Sequence, residues 1–128
     1  MGQTQAETNL QTRIQQLITI RGGWCIKKHQ GMTDAPGIPD ILCCYQGLFI
    51  GIEVKIGDNK PSAAQGIQMR AIQSANGITL VAWDLKTVDK LLGHIDTWYG
   101  AYNADFYNEL CNFYKSLPTL EVDDGSSY

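Results

Sequence analysis

Residues 37–56 read GIPDILCCYQGLFIGIEVKI, and the fold turns on how this stretch is paired. Gln46-Gly47 separates two apolar runs rich in β-branched residues. Glycine at the second position of a two-residue loop permits the positive φ that a tight hairpin turn needs. The stretch is therefore expected to form two antiparallel strands with the turn centred on Gln46-Gly47. Counting outward, Tyr45 opposes Leu48 and Asp40, on the first strand, opposes Glu53. Opposed residues share a face, with Cβ atoms roughly 4.5–5.5 Å apart. Lys55, two residues past Glu53, points to the same face. Ile52, Val54 and Ile56 point to the other face, into a core.

Two carboxylates and a lysine thus converge at one end of the hairpin. Opposed like charges repel by a few tenths to about 1 kcal/mol. A hard cation such as Mg²⁺ offsets that repulsion, because it takes oxygen ligands and accepts one or two carboxylates plus water and phosphate. In such a site the metal polarises a phosphate while the lysine orients or deprotonates the attacking water. Spacing alone equally allows a solvated Asp and an exposed Glu–Lys pair on an edge strand, since strands often alternate charged and apolar residues.

Pro39-Asp40 followed by a strand ending Glu53-Val54-Lys55 resembles the PD-(D/E)XK nuclease superfamily. Glu7-Thr-Asn-Leu-Gln11, Lys27 after Gly22-Gly23, Gly37-Ile-Pro-Asp40, Glu53-Val-Lys55 and Pro61-Ser-Ala-Ala-Gln65 together resemble the small stand-alone VRR-NUC domains of phages and bacteria. The resemblance covers roughly residues 5 to 95. It implies an α/β, restriction-endonuclease-like core: a mixed β-sheet with a central hairpin flanked by helices. It further implies a Mg²⁺- or Mn²⁺-dependent DNA endonuclease. Asp40, Glu53 and the backbone carbonyl of Val54 would hold the metal, with Glu7 as a further ligand, directly or through water. Lys55 would position the nucleophilic water, Gln65 would lie close to it, and Lys27 would meet a phosphate. Branched DNA such as a Holliday junction, cut by a homodimer, is the implied substrate, since a symmetric junction needs two paired cuts. A flap, single-strand or duplex nuclease, or a non-catalytic nucleic-acid-binding module on the same fold, are the rival readings.

The remaining sequence sets bounds. A chain of 128 residues is one domain by the usual size prior. It has no apolar run long enough to span a membrane and no apolar signal-peptide core near its polar start. A cytoplasmic location is expected, which for the phage-type relatives means the host cytoplasm. Cys25, Cys43, Cys44 and Cys111 form no CxxC pair and read as reduced thiols. The net charge of −3 argues superficially against nucleic acid. Its distribution weakens that objection: residues 1–97 hold nine Lys/Arg and eight Asp/Glu, whereas residues 98–128 hold one Lys and five acids. If Glu7, Asp40 and Glu53 face a metal, the rest of residues 1–97 carries about four net positive charges.

Leu10, Ile14, Leu17 and Ile18 predict an amphipathic helix over 5–21, ended by Gly22-Gly23. Glu7 also suits a helix N-terminus. A short strand over 24–28 and a loop over 29–36 follow; His29 in that loop is given no role. Gly57-Asp58-Asn59-Lys60 reads as a polar loop in which Lys60 is a phosphate-contact candidate. Ser62-Ala-Ala-Gln65 fits a capping box, which is a structural reading of Gln65 that rivals the functional one. The helix it opens has Ile67, Met69, Ile72 and Ala75 as apolar positions and stops at Asn76-Gly77. ITLVAW, residues 78–83, reads as a strand buried on both faces, and residues 85–99 as a helix broken by Gly100. Residues 1–100 are thus expected to form the nuclease-like domain, 101–117 an accessory helix with Phe106, Leu110, Phe113 and Leu117 on one face, and 118–128 an acidic tail.

Overall fold

Gln46 and Gly47 both adopt positive φ, 51° and 78°, as a two-residue turn of the primed type requires. This turn joins β2 (Ile41–Tyr45) to β3 (Leu48–Val54) and sets the antiparallel register Tyr45↔Leu48 through Ile41↔Ile52. The computed structural model describes residues 3–28 and 35–102, with side chains to residue 98, together with Asp105, Asn108, Glu109, Asn112 and Lys115. The described chain runs α1 (Gln5–Ile20), β1 (Trp24–Lys27), β2, β3, α2 (Ala63–Ser74), β4 (Ile78–Ala82) and α3 (Leu85–Tyr102). β1 pairs antiparallel with β2, and β4 pairs parallel with β3, giving one mixed sheet in the order β1-β2-β3-β4.

Strand alternation divides the hairpin into two faces. Ile41, Cys43, Tyr45, Ile50, Ile52 and Val54 point one way and are buried against Leu10, Ile14 and Ile18 of α1 and Val88, Leu92 and Ile95 of α3. Burial of each such branched side chain contributes about 1.5–3 kcal/mol. α2 covers the other face, over β3 and β4. The result is an α/β sandwich with helices on both sides of the sheet.

Arg21, the residue that caps α1, links three parts of this core. Its guanidinium donates to the carboxylates of Asp89 and Asp96 on α3. Asp96 also accepts from the Tyr45 hydroxyl at 2.7 Å and from Gln46 Nε2 at 3.2 Å. The hydrogen bond from Tyr45, followed by those from Arg21 and Gln46, holds Asp96 below the usual carboxylate range. Gln46 is a non-glycine residue in the left-handed region, and its side-chain contact helps to fix it there.

Four expectations change. β4 is half-buried along Ile78–Val81 rather than enclosed, because among the described residues it is an edge strand with a neighbour on one side only. Ile67 is 58% exposed, and no residue of α2 is fully buried; α2 meets the sheet through a narrow stripe that includes Ile72. α3 continues through Gly100 to Tyr102; one glycine costs a helix only about 1 kcal/mol and does not by itself end it. Asp40 sits one residue before β2, although its carbonyl still accepts the Lys28 N–H at 2.8 Å.

The chain divides into two compact units, Met1–Asp96, which contains the whole sheet, and Thr97–Tyr128. In the second unit the described positions 105, 108, 109, 112 and 115 are helical and exposed, spaced as the polar side of a helix. Phe106, Leu110, Phe113, Leu117, Cys111, His29 and the tail over 118–128 lie outside the described residues. Among the described residues no helix is long and apolar enough to cross a membrane, and Cys25, Cys43 and Cys44 are free thiols. Asp96→Ala is expected to lower the stability of the protein by about 1–2 kcal/mol in urea denaturation, since it removes charge-assisted hydrogen bonds from a partly exposed cluster.

Candidate active site

Continuing the β2–β3 register one pair beyond Ile41↔Ile52 brings Asp40 opposite Glu53, on the face that α2 covers. Asp40 Oδ2 accepts the backbone N–H of Val54 at 2.8 Å. That bond ties the start of β2 to the end of β3. In an extended strand the carbonyl of a residue points to the same side as its N–H, so the Val54 carbonyl is also turned toward β2.

Glu53 is 1% exposed although it carries a carboxyl group. Its Oε1 accepts Gln65 Nε2 at 2.8 Å, and the Lys55 ammonium stands 3.9 Å from the same oxygen. Its Oε2 is buried and has no hydrogen-bond partner among the described residues. Burial pushes the Glu53 carboxyl up to about 8; the neighbouring Asp40 carboxylate pushes the same way, while the charges of Lys55 and Lys28 oppose them.

Gln65 performs two tasks at once. Ser62 Oγ accepts the Gln65 N–H at 3.2 Å, and Gln65 Oε1 accepts the Ser62 N–H at 2.7 Å, which completes the capping box of α2. The amide nitrogen of the same side chain remains for Glu53. The structural and the functional readings of Gln65 are therefore compatible. Gly37 makes the approach of α2 possible. It has φ +83°, and a Cβ there would lie 2.3 Å from the carbonyl oxygen of Ala64 and 2.7 Å from the backbone nitrogen of Gln65.

Lys27 and Glu7 are not gathered into this cluster. Lys27 pairs with Ile41 and so lies on the core face; Lys28, one residue on, stands opposite Asp40 and donates from Nζ to the Ile38 carbonyl at 3.0 Å. The loop that separates β1 from β2 hides this register from the sequence. Glu7 occupies the first turn of α1, where its N–H donates to Thr4 Oγ1, and α1 packs on the face opposite to Asp40 and Glu53. Among the described residues no three His, Cys, Asp or Glu side chains group closely enough to hold an ion. Lys60 is exposed in the loop after β3. Gln11 is the residue whose state the sequence reading missed: it is fully buried on α1, and neither polar atom of its side chain has a partner among the described residues. Its place four residues after Glu7 was the available signal.

A solved structure of a VRR_NUC domain superposes on this fold with a TM-score of 0.60 and 25% identity, covering 71% of this chain and 98% of its own. In fold this chain is similar to a VRR-NUC domain. No protein-family model matches the sequence, and no curated protein sequence matches it. The four-stranded mixed sheet with three flanking helices is the VRR-NUC architecture, and the Asp40–Glu53–Lys55 cluster lies at one end of it.

The Glu53 carboxyl links stability to pH. In the unfolded chain it loses its proton near 4.5, whereas in the folded, metal-free domain it keeps it up to about 8. Its contribution is fully present below 4.5 and is lost as pH rises toward 8, because the unfolded state binds fewer protons across that window. The melting temperature of the metal-free domain should carry this downward slope, and Glu53→Gln should remove it. Gln11→Leu, similar in volume, should raise stability by about 1–3 kcal/mol in urea, the cost of buried polar atoms without partners; a loss of stability would show that Gln11 has a bound partner such as water.

Proposed function

We propose that this VRR-NUC-like domain is a divalent-metal-dependent DNA endonuclease, with Asp40, Glu53 and the Val54 carbonyl as the metal-holding set. The observation that carries the reading is Glu53 Oε2, a buried carboxyl oxygen without a partner among the described residues, close to a second carboxylate. Desolvating such an oxygen without a partner is costly. The donor set fits Mg²⁺ or Mn²⁺, which take hard oxygen ligands and retain water. When bound, the metal supplies Lewis-acid stabilisation of charge on the phosphate.

The chain's own residues prepare the rest. Gln65 fixes Glu53 through Oε1, so Oε2 is the oxygen left without a partner among the described residues. Val54 N–H fixes Asp40 in the same way. Lys55 lies close to the pair and is mostly shielded from solvent; its ammonium orients a water for in-line attack and balances the negative charge. Glu7 assists through water at most, given its place on α1. Lys60 binds a phosphate flanking the cut, and Lys28 takes the place first expected of Lys27. The family likeness and the need for paired cuts favour branched DNA and a homodimer.

Labelled four-way junctions, flaps, duplexes and single strands, each incubated with Mg²⁺ and with Mn²⁺, test the reading. Cleavage should require the metal and favour the junction. Asp40→Asn and Lys55→Ala should each reduce the rate by at least about 100-fold, as expected for loss of a metal ligand or of a group acting in proton transfer. DNA binding should survive in both. Metal-independent cleavage, or full activity of Asp40→Asn, would overturn the assignment of the site; equal cleavage of all four substrates would overturn the preference for branches.

A further inference from the structure

The rim of this site carries an aromatic side chain that neither the core nor the nuclease motif uses. Trp83 directly follows β4 and is 44% exposed. Continuing the β3–β4 register one step past Val54↔Ala82 sets it level with Lys55, and the Lys55 N–H donates to the Ala82 carbonyl at 3.0 Å. Its ring is held in place: Nε1 donates to the carbonyl of Asn59 at 2.9 Å. That bond joins the end of β4 to the loop after β3, where the next residue is the exposed Lys60.

An indole whose polar edge is already bonded, and whose body is partly in water, offers an apolar and polarisable surface with little rotamer freedom left to lose. Beside it stand one lysine aimed at Glu53 and another on the loop that the indole tethers. A phosphate-and-base unit matches this pattern of cation and aromatic surface.

We propose that Trp83 is a base-stacking platform, which receives the open face of an unpaired nucleobase beside the phosphate that is cut. This rests on the nuclease reading and adds to it a substrate class. A base inside a continuous duplex has no free face, so the platform selects strands interrupted next to the cut: single strands, flaps and branch points. Because every base has a π-face, the contact confers no base preference. Trp24, 61% exposed in β1 opposite Cys44, lies at the other end of the sheet and serves as the control.

The experiment measures binding by fluorescence anisotropy in the absence of divalent ions and cleavage in Mg²⁺. The proteins are the wild type, Trp83→Leu, Trp83→Phe and Trp24→Leu, each checked for folding by circular dichroism. The DNAs are a flap, a junction and a continuous duplex, with abasic residues placed singly along the strands around the cut. Loss of one stacked base predicts about 5- to 50-fold weaker binding of flap and junction by Trp83→Leu, with duplex binding and the Trp24→Leu variant unchanged within about 2-fold. Trp83→Phe should retain most of the affinity. An abasic residue at one flanking position should weaken the wild type and leave Trp83→Leu unaffected. Wild-type affinity of Trp83→Leu, losses that multiply independently of the abasic residue, or an equal loss in Trp24→Leu overturn the platform while the wild type's cleavage keeps the nuclease reading. A flat abasic scan on the wild type overturns it without recourse to any variant. A wild type that neither binds nor cuts DNA overturns both.

Discussion

The burial of one carboxyl group, that of Glu53, governs the rest of the structure. An acid taken out of water at the centre of a sheet must be neutralised, hydrogen-bonded or met by a cation. Each neighbour answers part of that demand. Gln65 donates to one oxygen, Lys55 approaches the same oxygen, and the second oxygen faces no protein donor among the described residues. To supply Gln65, α2 has to start above the sheet at this point, and it can do so only because residue 37 has no side chain to collide with Ala64. The apolar half of the molecule, α1 and α3 on the other face, provides the burial that offsets the cost of keeping such a group inside.

Gln65 shows why capping a helix and positioning an acid need not compete for one residue. A capping box uses its carbonyl oxygen and leaves its NH₂ group free. Here that group turns to Glu53. A glutamate at the same position could complete the box equally well, yet it would bring a third negative charge to a pair that already repels. Glutamine satisfies the helix and the acid with one side chain.

The hairpin was legible in the sequence because its logic is local. Once Gln46-Gly47 forms the turn, parity alone brings Asp40 to Glu53 and Lys55 to the same face. The choice between Lys27 and Lys28 was not legible in that way, because the β1–β2 loop is long and its register cannot be counted through. The exposure of β4 was hidden for a related reason: a parallel neighbour arrives through a helical crossover, and nothing in ITLVAW says that the strand will lie at an edge. Glu7 was placed by resemblance rather than by residue pattern, and the face on which α1 packs follows from tertiary contacts. Trp83 was invisible as a special position, and Gln11 was marked only by its spacing from Glu7, since exposure of one and burial of the other depend on what the fold sets beside them.

The double use of Gln65 has a dynamic consequence. It sits in the opening turn of α2, and helix ends breathe at a small fraction of the free energy needed to unfold the whole domain. Each time that turn unwinds, Glu53 loses its amide donor and the side chain that carries it swings away together with the helix start. Transient opening of a few residues at the surface is thereby transmitted to the most secluded acid among the described residues, so amide exchange at Ser62 and Gln65 and the hydrogen bonding of Glu53 follow one local equilibrium.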